Sequence, residues 1–61
     1  MNRKVSLFIV EDYLLARVTF KKALEQFADL DVKKDFETAE DCLDALREEA
    51  VDVVLMDIQM E

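Results

Sequence analysis

The sequence predicts an α/β domain whose strands and helices alternate as βαβαβ around a parallel sheet. Two observations carry this prediction. Two short apolar runs, VSLFIV and VDVVLM, and a weaker strand-like run, VKKDF, are separated by two longer segments whose apolar residues recur with helical spacing. Strands alternating with helices of about 10–15 residues form βαβ units, with parallel strands and right-handed crossovers.

The first run, 5–10, is β-branched and aromatic with almost no alternation, as expected of a strand covered on both faces. It stops abruptly at Glu11-Asp12. Over 13–27 the period changes, because Ala16, Phe20, Ala23, Leu24 and Phe27 form one helical stripe. Phe20, Leu24 and Phe27 are read as core. Arg17, Lys21, Lys22 and Glu25 lie mostly off the stripe and read as a solvated face. Asp12 is the expected N-cap, since its carboxylate can accept from the free N–H groups of the first turn.

Residues 32–36 read as a second strand, whose two lysines suit a sheet edge. A second helix is expected over 39–49, opened by Thr38 with Asp41 as a capping partner. Its stripe is Cys42, Ala45, Leu46 and Ala50, and Cys42 reads as a small buried hydrophobe rather than a reactive thiol. The third strand is expected over 51–56 and delivers Asp57 at its end.

Composition bounds the function. The chain has 61 residues, of which 52% are hydrophobic and 38% charged, as in a globular domain rather than a disordered one. A domain of this size buries only about 60% of its unfolded surface and is marginal alone. A net charge of −7 with no basic cluster argues against binding of nucleic acid or an anionic membrane by this segment. With no histidine and one cysteine, a zinc site is not expected, and neither is a disulfide. The absence of glycine argues against dinucleotide-binding and P-loop sites, which need it for close phosphate approach. A haloacid-dehalogenase type of phosphatase would place a second Asp two residues after its nucleophile, where this chain has Gln59. No signal peptide or membrane span is evident, so a cytoplasmic protein is expected.

In a parallel sheet the carboxyl ends of all strands share one edge, where α/β proteins bind their ligands. Glu11, Asp12 and Asp57 are therefore expected to converge. Converging carboxylates are costly without a cation, and a hard, oxygen-preferring ion such as Mg²⁺ meets that demand.

With these spacings in view, LFIVEDYLLAR, DFETAEDCLDAL and VDVVLMDIQM together resemble the receiver domain of bacterial two-component response regulators. The resemblance covers the chain through its third strand. It implies a flavodoxin-like fold with strand order 2-1-3. It further implies that Asp57 is the phosphoacceptor for a histidine kinase. Mg²⁺ is then held by Glu11, Asp12, Asp57 and the backbone carbonyl of Gln59. Such a protein is a phosphorylated signalling module and not a turnover enzyme.

Two positions depart from the family pattern: Glu61 stands where proline is usual, and Ala39 where glycine commonly opens the second helix. The Ser or Thr and the Lys of the family's fourth and fifth strands have no counterpart in these residues. The expectation is thus a truncated receiver, inactive alone, whose third strand is an apolar edge. That edge is expected to complete the sheet by forming a homodimer through 51–56. The alternative is a non-catalytic assembly fragment that uses the same edge.

Overall fold

The structure, a computed structural model, describes residues 3–57. Strand β1 (Val5–Val10) is followed by helix α1 (Leu14–Glu25), strand β2 (Leu30–Phe36), helix α2 (Ala39–Leu46) and strand β3 (Val53–Met56). The strands form one parallel sheet of order β2-β1-β3, so the most buried strand lies in the middle and the lysine-bearing strand at an edge. No described residue adopts a positive φ, which is how a chain without glycine makes its connections free of left-handed turns.

The core lies between the sheet and α2. Phe8, Val10 and Cys42 are buried together, with Phe36, Ala45, Leu46 and Val51 packed around them. The rings of Phe8 and Phe36 meet edge-to-face with centroids 5.1 Å apart. Full burial of a side chain such as Phe8 contributes about 2 kcal/mol. Burial also pushes the Cys42 thiol up from its ordinary pKa, which keeps it protonated and inert.

Several features differ from the sequence-based expectation. Both helices are shorter than 13–27 and 39–49, ending at Glu25 and Leu46, because their last turns tighten: Phe27 donates to the Leu24 carbonyl and Arg47 to that of Asp44. Strand β2 begins at Leu30 rather than residue 32, since Leu30 and Asp31 already pair with Val5 and Ser6. Strand β3 begins at Val53 rather than residue 51. Before it, Asp52 is taken up by Ser6: its carboxylate accepts from the Ser6 amide at 2.9 Å, and its own amide donates to the Ser6 hydroxyl at 3.1 Å.

The stripe of α1 is not core. Phe20 and Phe27 are exposed, and no residue of the helix is fully buried. The reason is its placement: α1 packs on β2 and β1, and neither helix packs on β3. The flank of α1 that leans toward β3 therefore faces solvent. Within β2 the register with β1 slips between Leu7 and Phe8, so that Val32 pairs with Leu7 and Lys34 with Phe8, leaving Lys33 as an extra residue.

Candidate functional site

The pairing of Val10 with Met56 sets the site. One residue further along each strand, the Asp57 amide donates to the Val10 carbonyl at 3.3 Å. This puts Asp57 beside Glu11, at the carboxyl ends of β1 and β3.

Glu11 is the buried member of the group, with only 4% of its surface exposed. Its backbone is held on both sides. The amide donates to the Phe36 carbonyl at 3.0 Å, and the carbonyl accepts from Nη1 of Arg17 at 2.8 Å. Its carboxylate accepts from the Tyr13 amide at 3.5 Å. The carboxyl is pushed above the ordinary glutamate pKa, first by burial, then by a hydrogen bond with the Asp12 side chain, with the nearby Asp57 carboxyl adding to the effect. The Tyr13 amide acts in the opposite direction. Two acids therefore press on one buried acid, and a proton or a cation relieves the three together.

Asp12 does not cap α1. The N-cap position is Tyr13, in extended conformation and with no side-chain cap bond, so Asp12 stands one residue too early to cap the helix. Tyr13 itself is largely exposed at the rim.

Among the described residues there is no group of three or more acidic, histidine or cysteine side chains that could hold a metal ion. Mg²⁺ does not require such a group, since it usually binds through one or two carboxylates and fills its octahedron with water and phosphate oxygens. The donor chemistry of Glu11, Asp12 and Asp57 fits such an ion. Gln59, the fourth expected ligand, lies outside the described residues.

Arg17 was not evident as a site residue from periodicity. Beyond the Glu11 carbonyl, its Nε donates to Oδ2 of Asp35 on β2 at 3.0 Å, and Lys21 approaches the other oxygen of Asp35 at 3.5 Å. A sequence signal did exist. Helical side chains lean toward the N-terminus, so an arginine in the first turns of α1 reaches back over the strand end. Beside Asp57 lies an open, mostly apolar hollow of about 320 Å³, lined by Ile9, Val10, Phe20, Leu55, Met56 and Asp57.

No family model and no curated protein matches the chain. Two solved structures do. One is RcsB from Salmonella enterica serovar Typhimurium, bound to the promoter rprA in the presence of the phosphomimetic BeF3−, with 22% identity and a TM-score of 0.88 over 97% of this chain. The other is the RcsB response regulator of Salmonella typhimurium in a structure concerned with its conformational dynamism for DNA interaction. It has 24% identity and a TM-score of 0.88 over the whole of this chain. The chain spans 29% of the length of each. At these identities the likeness is one of fold: the chain has the flavodoxin-like fold of a response-regulator receiver through its third strand.

Proposed function

We propose that the chain is the phosphoacceptor part of a two-component receiver, working with a histidine kinase in the cytoplasm. The observation that supports this best is the juxtaposition of Asp57 with Glu11 and Asp12 at the carboxyl edge of a sheet of this fold. In this reading an Asp57 carboxylate oxygen attacks the phosphorus of a phosphohistidine. The O–P bond forms as the N–P bond breaks, and the electron pair goes to the ring nitrogen of a phosphohistidine protonated on its other nitrogen, so that neutral imidazole leaves. The product is an acyl phosphate on Asp57. Glu11, Asp12, Asp57 and the Gln59 carbonyl would hold Mg²⁺, which when bound offsets the charge of the acids and of the phosphoryl oxygens. Tyr13 stabilises ionised Glu11 through its amide, and burial of Glu11 limits water at the inner side of the site. DNA contact is not assigned to this segment, whose net charge is −7.

Incubation with Mg²⁺ and a small acyl phosphate tests the reading by intact-mass spectrometry. One added phosphoryl group, released by hydroxylamine and lost in Asp57→Asn, supports phosphoacceptor activity in these residues alone. An adduct that survives in Asp57→Asn overturns the assignment of Asp57, and no adduct supports the assembly reading below.

A second reading has its own observation. Val53, Val54, Leu55 and Met56 are between 37% and 47% exposed, and β3 has a strand neighbour on one side only among the described residues. An uncharged, unpaired edge of this kind is a template for another strand. In this reading the chain is an assembly fragment that pairs with a second copy through β3.

A further inference from the structure

We infer that Arg17 is the positioning residue of the acidic turn, tying the backbone of Glu11 to Asp35 of β2 and so fixing where Glu11 and Asp12 present their carboxylates. The inference rests on the reading of those acids as a cation site. Its geometry is independent of that reading.

The Glu11 carbonyl lies past the last residue of β1 and before the first helical bond of α1, from the Arg17 amide to the Tyr13 carbonyl. Neither ladder therefore supplies it with a partner, and the Arg17 guanidinium does, at 2.8 Å. The same guanidinium uses a second, differently directed N–H on Asp35 at 3.0 Å. Its side chain is 16% exposed and that of Asp35 27%, so the pair is largely shielded from water and salt. An exposed ion pair would add little. This one joins three parts of the chain: α1, β2 and the turn between β1 and α1. Lysine could not replace it, because a single ammonium lacks the forked donors that reach a carbonyl and a carboxylate in one plane. Groups that orient metal ligands from behind typically change metal affinity by about 10–100-fold when removed.

The test compares the wild-type chain with Arg17→Met, Arg17→Lys and Asp35→Asn. Mg²⁺ alone is titrated while the amide resonances of Asp12 and Tyr13 are followed. Hydrogen exchange at the Glu11 and Tyr13 amides is measured without metal, with Phe8 and Ile9 as internal references. The expected result for Arg17→Met is about a 10-fold weaker Mg²⁺ response, not restored by Arg17→Lys. Faster exchange confined to Glu11 and Tyr13 is expected as well. Asp35→Asn should shift both readouts in the same direction, which keeps the test open should Arg17→Met fold poorly. Exchange that rises equally at Phe8 and Ile9, or Mg²⁺ affinity unchanged in the variants, overturns the inference. A wild-type chain that ignores Mg²⁺ would remove the cation reading, and the exchange pattern alone would then decide for or against the clasp.

Discussion

Glu11 combines burial, two acidic neighbours and a single amide donor to its carboxylate, and its titration records the balance among them. Its pKa in the folded chain is raised above the 4.5 of a free side chain, so the folded state holds the proton more tightly than the unfolded state. Stability is therefore lost as pH rises from 4.5 through the raised folded value, and the penalty is complete above it. Below 4.5 both states are protonated and the difference vanishes. Glu11→Gln is expected to raise Tm at neutral pH and to converge with wild type well below 4.5, as read by thermal unfolding across pH. A variant with unaltered or lower Tm at neutral pH would show that the ionised carboxylate is well accommodated. At this scale the acids were legible, because the end of an apolar run marks where a strand surfaces. Arg17 was not. Its partners are a carboxylate 18 residues away and a backbone carbonyl, and neither leaves a mark on hydrophobic periodicity.

The five elements and their order follow from the sequence because strand and helix periods differ so clearly here. Their ends do not, since termini are settled by local hydrogen bonds that composition only suggests. Thr38 was recognisable as a cap, and its hydroxyl accepts from the Asp41 amide at 3.1 Å. Thr38→Ala should cost about 1 kcal/mol, measured as a shift in the urea midpoint at constant slope. A loss near zero would mean that α2 is held by the Cys42 side of the core alone. The first helix is the contrasting case. Asp12 looked equally suited to capping, but the helix begins at Leu14 with Tyr13 as its N-cap, which leaves Asp12 one residue outside the capping position.

For the molecule as a whole, the apolar surface is distributed unevenly between the two sides of the sheet. Packing of α2 against Phe8 and Val10 makes a small core, while the α1 side and β3 leave Phe20, Leu55 and Met56 open. The α1 stripe was read as core because periodicity shows which residues a helix would bury, not what is present to bury them. The assembly reading makes a prediction at this scale. Sedimentation equilibrium at micromolar concentration should show a dimer, and Leu55→Lys should return it to monomer. A folded monomer in the wild-type chain would sink that reading. The two sides also depend on Lys33 in a way that no substitution table would reveal. Paired residues of neighbouring parallel strands share a face, and faces alternate along each strand. The extra residue acts as a frameshift in that alternation: after it, Asp35 shares the side of Ile9 and Phe36 that of Val10. Plain alternation from Val32 would assign Asp35 and Phe36 the reverse sides, carrying the acid away from Arg17 and the ring away from Phe8. Acid and aromatic thus reach their partners by counting rather than by chemistry.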